Sequence, residues 1–318
     1  MTMYTRSDAL RVRDRLLGGL EDIAAHSWRG GSHQLNIIVA GGGATGVEMA
    51  GAIAEMKQAM ITRLFPELST TAIKVTLVEL GDSLLAPFDE RLQRYAHRQL
   101  IKRGVEVRLN TEITAIQHDR VELGNHASVS ADLVVWAAGM TGHQRVGAWD
   151  LPLSSNRRII VDDDLRVQGC DRVFAVGDAA ITPDHPLAQL AQPAMQMGGH
   201  AARQITRLHH DEATKPFRYR NKGTLATIGG RAAIVQLPFG LKITGLIAWM
   251  IWVVLHLWFL LGSRNRVTTF VNLMYRYVLW PRVTPAIVGE LRRSEGGTDS
   301  RNGARREVDT EGAQRRVA

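Results

Sequence analysis

The stretch LNIIVAGGGATGVEMAGAIAEM, Leu35 to Met56, begins with an apolar run rich in β-branched residues, Ile37-Ile38-Val39. It turns through Gly41, Gly42 and Gly43, meets Gly46 three residues on, and continues as an Ala-rich segment. Strand, tight turn and helix, with glycines in G-x-G-x-x-G order, form a dinucleotide-binding signature. The first glycine makes the turn, the second lets the backbone approach a pyrophosphate, and the third lets helix and strand pack closely. The helix start, Ala44-Thr45-Gly46, then presents free N–H groups and a positive dipole end to the anion. Along the helix, Gly46, Ala50 and Ala54 make a stripe of small residues suited to lying on a sheet. Glu48 falls opposite that stripe and is not committed to the core.

Working outward, residues 8–25 read as an amphipathic helix with Leu10, Leu16, Leu17, Leu20 and Ile23 on one side, and 27–33 as a Gly-rich loop. After the glycine-turn helix comes a second strand, Ile73 to Glu79. An acid at that strand end accepts from a ribose 2′-OH and repels a 2′-phosphate, which favours NADH over NADPH; the bland alternative is a solvated strand-end carboxylate. Asp89 caps a following helix and Gly104 terminates it. Strands are expected at Val105–Leu109, Glu112–Gln117 and Asp132–Trp136, the last running into the close-approach turn Ala137-Ala138-Gly139. This completes a nucleotide domain over roughly 35–140.

Farther along, residues 157–168 form a polar β-like segment. Val173–Ala180, VFAVGDAA, reads as a buried strand ending at Gly177-Asp178. Asp178 either accepts from a ligand hydroxyl beside helix N–H groups or is a plain N-cap. A helix from about Leu187 carries Gln189, Gln192 and Gln196, with Pro193 expected to kink it. The glutamines suit either a pocket or a polar surface. Residues 217–237 read as a small antiparallel sheet. Ile243–Gly262 is then uncharged and Trp-rich and is long enough to cross a bilayer or to lie in its interface, and its one polar interruption, His256, favours lying flat or packing against a partner. Val267, Phe270, Val271, Met274 and Val278 follow at helical spacing among arginines, as in an interfacial helix. From Leu291 the chain is polar and charged, a composition expected to be disordered.

The chain has 318 residues, 45% of them hydrophobic, which is enough for about two domains. Its single cysteine, Cys170, provides neither a disulfide framework nor a C-x-x-C redox pair, and suggests a reducing compartment. The net charge of +8 is concentrated late, beside the apolar stretch, where it suits anionic lipid. Nucleic acid is disfavoured, because the early domain is mixed in sign and no aromatic-interleaved basic platform is present. The first residues carry charges where a secretion signal needs an apolar core.

The order GGGATGVE, LVELG, DERL, VVWAAG, VFAVGDAA, AQPAMQ, KGTLATIG and a Trp-rich apolar tail resembles the type II NADH:quinone oxidoreductases over about Tyr4 to Arg282. The resemblance implies an α/β, Rossmann-like three-layer fold of the two-dinucleotide-binding-domain flavoprotein type, with a partial FAD domain and C-terminal membrane-anchoring helices. Residues 1–34 would be helix and linker from the FAD side and 35–145 the NADH-binding domain. Residues 146–240 would be the C-terminal part of the FAD domain with a quinone-site helix, 241–284 the anchoring helices, and 285–318 a disordered tail. Members carry two glycine turns and this sequence has one. Its place before the WAAG turn matches the second, so the resemblance implies that the first FAD-binding half is missing, either from a truncated or misassigned start or because the fragment is genuine and incomplete. Glutathione-type reductases keep their cysteines in that first half, so their absence decides nothing, whereas a thioredoxin-reductase-type arrangement is excluded.

The resemblance assigns NADH to Gly41, Gly42, Gly43, Ala44, Thr45, Gly46 and Glu79, with Ala138 and Gly139 alongside. It assigns FAD to Gly177 and Asp178. It gives Glu48 a place near the nicotinamide–flavin contact, Gln192 and Gln196 the quinone tunnel, and Lys222 a place near the flavin. The activity implied is hydride transfer from NADH to FAD and two electrons to a membrane quinone, without proton pumping, at the cytoplasmic face of the cell membrane. An anionic bilayer and a homodimer are the partners to consider. The alternative is a membrane-attached NADH-binding module or subunit that lacks its own FAD half. A soluble reductase acting on a protein partner is weakened by the Trp-rich tail.

Overall fold

The computed structural model of the chain describes residues 1–2, 5–27, 34–124 and 127–275. The Gly-rich loop 28–33, Val278, the arginines from Arg276 onward and the expected tail lie outside these. The elements are α1 (Arg6–Ser27), β1 (Leu35–Ala40), α2 (Ala44–Leu64), β2 (Ile73–Val78), α3 (Glu90–Lys102), β3 (Val105–Arg108), β4 (Ile113–Ile116), β5 (Arg120–Leu123), β6 (Ser128–Ser130) and β7 (Leu133–Trp136). There follow β8 (Ile159–Ile160), β9 (Ala180–Ile181), α4 (Ala191–His209), β10 (Thr224–Thr227), β11 (Ala233–Gln236), β12 (Lys242–Thr244), α5 (Gly245–Phe259) and α6 (Ser263–Met274).

The centre is a parallel sheet in the order β3-β2-β1-β7, with Ile37 opposite Val75 on one side and Leu133 on the other. Strand alternation sends successive side chains to opposite faces. Ile37, Val39, Val75, Leu77, Leu133 and Val135 enter one core with apolar residues of α1, α2 and α3. Ile38, Val78 and Val134 enter another with Val121, Leu123 and Val129. The three layers are therefore helices, parallel sheet and the antiparallel sheet β4-β5-β6. The sequence reading missed β5 and β6. They are short, and charged residues such as Arg120 and Glu122 alternate with the buried Val121 and Leu123. In α1 the apolar stripe is displaced slightly: Val12 is buried with Leu16, Leu17, Leu20 and Ile23, while Leu10 is half-buried. Asp89 caps α3 by accepting from the Arg91 N–H at 3.0 Å, and Gly104 follows at φ +75.

Three sequence expectations are corrected. Val173–Val176 is not a regular strand: Val173 is exposed, pairing is limited to one bridge between Phe174 and Arg166, and Gly177–Ala179 is a 3₁₀ turn. The helix carrying the glutamines begins at Ala191, so Pro193 lies in its first turn, where a missing N–H costs nothing and no kink results. The apolar run is divided as well. Its helix, α5, has 15 residues, and the chain leaves helical geometry at Leu260 before Gly262 turns at φ +82. Fifteen residues rise about 22 Å, short of the ~30 Å hydrocarbon thickness. Among the described residues no helix is long and apolar enough to cross a membrane. One side of α5 instead packs Ala248 on Ala233 and Val235 of β11.

Candidate functional site

The glycine turn separates two demands on its residues. Gly41 adopts φ +105, and a Cβ there would stand 2.7 Å from the Ala137 carbonyl and 2.8 Å from the Ala138 Cα. A Cβ on Gly46 would stand 1.8 Å from the Gly41 carbonyl oxygen. These two glycines let β1, α2 and the turn after β7 close on one another. Gly43 differs: it is exposed, no side chain caps the helix there, and a Cβ would meet nothing within 4 Å. Its bare backbone faces open space ahead of the first-turn N–H groups of α2. That is a cradle a side chain would fill, and it fits a pyrophosphate. Ala138 and Gly139 lie beside it, Gly139 at φ +103.

Glu79 follows β2 and points back into this turn. One carboxylate oxygen accepts from the Gly42 N–H and the other from the Gly81 N–H at 2.8 Å. An ionised carboxylate has about four lone-pair sites, so two remain for a hydroxyl donor.

Glu48 does face away from the small-residue stripe, but it does not face solvent. Its carboxylate accepts from the Thr227 N–H at 3.0 Å and the Thr227 hydroxyl at 3.2 Å, which ties α2 to β10. Burial raises its pKa, opposed by the Thr227 hydrogen bonds and by the His256 charge. In the pH window between the ordinary carboxylate range and the raised value, the folded protein holds a proton that the unfolded chain has released. Stability therefore falls as pH rises through that window. Glu48→Gln is expected to flatten this slope in chemical denaturation curves across the acidic-to-neutral range; an unchanged slope would assign it to other groups. Thr227 escaped the sequence reading because it lies 179 residues away along the chain and no local pattern marks it.

The Gly177-Asp178 turn sits against the start of α4. Gly177 adopts φ +68, and a Cβ there would come 3.1 Å from the Ala194 Cβ. The Asp178 side chain is exposed, its carbonyl accepts from Gln189 Nε2 at 3.1 Å, and the first turn of α4 has no side-chain cap. An exposed acid next to unsatisfied helix N–H groups fits a ligand bearing both hydroxyls and phosphate. Behind it lies a residue that the sequence reading missed, Arg158. Its guanidinium is buried, donates to the carbonyls of Ala180 and Leu187, and leaves Nε without a partner. Burial pushes it below the ordinary arginine range and the Asp178 charge offsets this.

The two α4 glutamines differ. Gln196 Nε2 donates to the Arg220 carbonyl and its Oε1 accepts from the Arg220 N–H, both at 3.0 Å. Gln192 is half-buried one turn earlier, with its amide unbonded among the described residues. Lys222 is exposed in the loop ahead of β10. Gln196→Ala is expected to cost about 0.5–1.5 kcal/mol by removing its two solvent-exposed hydrogen bonds to the Arg220 backbone, whose groups water then satisfies, read as a lower denaturation midpoint. A neutral result would remove Gln196 from the structural account.

Residues 11–198 match the model of the pyridine nucleotide-disulphide oxidoreductases, and residues 221–279 match the NDH2 C-terminal domain. The type II NADH:quinone oxidoreductase NdhA of Mycobacterium tuberculosis is 34% identical over 281 residues, covering 83% of this chain and 59% of that protein. The type II NADH:quinone oxidoreductase of Haemophilus influenzae is 32% identical over 209 residues, covering 64% and 47%. The chain thus spans little more than half the length of the curated relatives it matches. In fold it is similar to NDH2 from Plasmodium falciparum in complex with NADH, with a TM-score of 0.78 at 18% identity, covering 87% of this chain and 73% of that one. With the first of these family models matching more than half of its residues and the NDH2 domain following in order, the chain belongs to the pyridine nucleotide-disulphide oxidoreductase family, in its type II NADH dehydrogenase branch.

Proposed function

We propose that the chain carries out NADH:quinone oxidoreduction at a membrane surface, without proton pumping. The observation that carries this reading is the Glu48–Thr227 contact: one carboxylate joins the helix leaving the glycine turn to β10, inside the NDH2 C-terminal domain. Nucleotide turn and C-terminal domain thereby meet at a single proton-holding group. The amides after Gly43 would hold the NADH pyrophosphate, and the remaining Glu79 lone pairs would accept from a ribose hydroxyl. Asp178, Gly177 and the first turn of α4 would hold FAD, with Arg158 fixing the loop behind Asp178. Bound FAD supplies the hydride-accepting and electron-passing chemistry. Glu48, with its raised pKa, is suited to keep a proton close to the reacting groups. The free Gln192 amide would orient a quinone carbonyl, Gln196 would hold the 220 loop in place, and exposed Lys222 would add positive charge nearby. In this reading 35–145 is the NADH domain, 146–240 the FAD-side portion with the quinone helix, and 1–34 its linker.

The same proposal places α5 and α6 on the lipid surface, at the cytoplasmic face. Ile247, Met250, Val254, Trp258 and Leu261 are exposed along α5 and its end, and Val267, Phe270 and Val271 along α6. The Arg266 guanidinium lies 5.7 Å from the centre of the Trp258 ring. A large exposed apolar patch marks an interaction surface, and aromatic residues with arginine suit an anionic membrane interface.

The test is the purified full chain supplied with FAD. NADH-dependent bleaching of the flavin band together with menadione reduction is the expected result. No bound flavin and no menadione reduction would overturn the activity for this chain. NADH binding without flavin would instead establish the second reading, a membrane-attached NADH-binding module.

A further inference from the structure

A cavity of about 430 Å³ opens at the opposite end of the parallel sheet from the glycine turn. Gln34, Ile73 and Gly104, which precede or begin β1, β2 and β3, line it, whereas the glycine turn follows the far end of β1. Six strand residues separate the two by about 20 Å. Among the described residues four cations line this cavity, Lys57, Lys74, Lys102 and Arg103, and no carboxylate does. Lys74 is paired with Glu106 at 2.8 Å and Arg103 with Glu55 at 3.5 Å. Lys57 and Lys102 have no partner among the described residues. Lys102 and Arg103 end α3, where positive charge offsets the helix dipole. That explanation does not reach Lys57, which is half-buried well inside α2, or Lys74, which stands on a strand. Burial lowers the Lys57 pKa with no negative charge to oppose it. Such a group is stabilised by an anion brought in from outside.

The lining also selects the ligand class. The Thr70 hydroxyl is available as a further donor, and among the described residues the apolar wall is limited to small aliphatic surface from Ala54 and Ile73, with no ring on which a base would stack. The volume lies in the range of small-molecule sites. We propose that this cavity binds a multiply charged phosphate group, with Lys57 and Lys102 as its two free cationic contacts. Its charge, not an attached base, would be what is recognised. Phosphates of this kind come from soluble diphosphates and from anionic lipid headgroups, and both present the same oxygens. The inference stands on this cavity alone and is independent of the NADH and quinone reading.

The experiment is calorimetric titration of the full chain with inorganic pyrophosphate, with Lys57→Gln/Lys102→Gln and Gly43→Ala as comparison variants. Saturable binding is expected in the wild type and in Gly43→Ala, weakening as salt is raised. The lysine double variant is expected to lose about tenfold or more in affinity, the factor that a charge-assisted hydrogen bond supplies. Its thermal midpoint and its NADH affinity are expected to match the wild type. Vesicles containing phosphatidic acid that displace pyrophosphate from the wild type would assign the headgroup source, and vesicles that do not would assign the soluble one; each outcome supports the site. Absence of pyrophosphate binding would overturn the proposal. So would binding that survives the lysine double variant but disappears in Gly43→Ala, because it would belong to the glycine turn.

Discussion

Gly46→Ala is expected to lower the thermal midpoint of the protein by about 10 °C, whereas Gly43→Ala leaves it unchanged and weakens NADH binding. The two glycines sit three residues apart in one motif and carry opposite loads. A Cβ at position 46 would sit 1.8 Å from the Gly41 carbonyl oxygen, an overlap with main chain that only a shift of the whole turn relieves. Overpacking costs about 1–3 kcal/mol where side chains can yield, and backbone yields less. At the upper end of that range, a domain of 150–250 residues loses roughly 2–4 °C for each kcal/mol. A Cβ at position 43 would meet no atom within 4 Å, and the residue already has φ −69 with extended ψ, which alanine adopts freely. The methyl group would occupy the space through which a pyrophosphate approaches the helix N–H groups, so NADH affinity is expected to fall by about tenfold or more. Differential scanning fluorimetry and NADH titration separate the two effects. A Gly43→Ala protein that binds NADH normally would mean that the anion does not dock on this turn.

The second large effect concerns the apolar surface. Val254→Glu/Trp258→Glu is expected to release the protein from vesicles of phosphatidylglycerol and phosphatidylcholine, with a partition coefficient lower by about a hundredfold or more. The two side chains are 65% and 71% exposed, so the fold loses little by the change. Each is worth about 1.5–3 kcal/mol when fully buried in an apolar phase, and two carboxylates add repulsion from an anionic surface. Vesicle cosedimentation measures the effect, and NADH titration confirms that the nucleotide turn is intact. Cosedimentation equal to the wild type would remove this face from the lipid reading. A fall in oligomeric mass in the variant, with sedimentation unchanged, would assign the face to a second copy of the chain.

Features written in consecutive residues were legible from the sequence. The β-branched run of β1, the glycine spacing, the Asp89 cap and the Gly104 terminator are local signals, and each lies where its chemistry requires. Features decided by distant partners were not legible. VFAVGDAA has strand composition, yet composition does not supply a neighbour: within it only Phe174, through one bridge, and the final Ala180, which opens β9, find a paired strand residue. Val121 and Leu123 are buried against the outer face of the sheet, but charged residues interleaved with them masked the strand. The apolar run 243–262 reads as a single span because its residues are uniformly uncharged. The break at Leu260 and Gly262 is a backbone event that hydropathy does not register. In the candidate site, Glu48 was identified by its position opposite the small-residue stripe, while its partner Thr227 and the buried Arg158 depend wholly on tertiary placement.

In the proposed NADH site, the double use of Glu79 would make nucleotide preference expensive to change. The carboxylate available to a ribose also carries the amides of Gly42 and Gly81. Replacing it with a neutral or basic side chain, the obvious first move toward accepting a 2′-phosphate, strips two backbone donors of their acceptor at the very loop that must hold the pyrophosphate. In that site, discrimination and scaffold would share the same two oxygen atoms. A lineage or an engineer seeking to switch coenzyme must therefore rebuild the support of the turn first, and the intermediate with neither arrangement binds both coenzymes poorly.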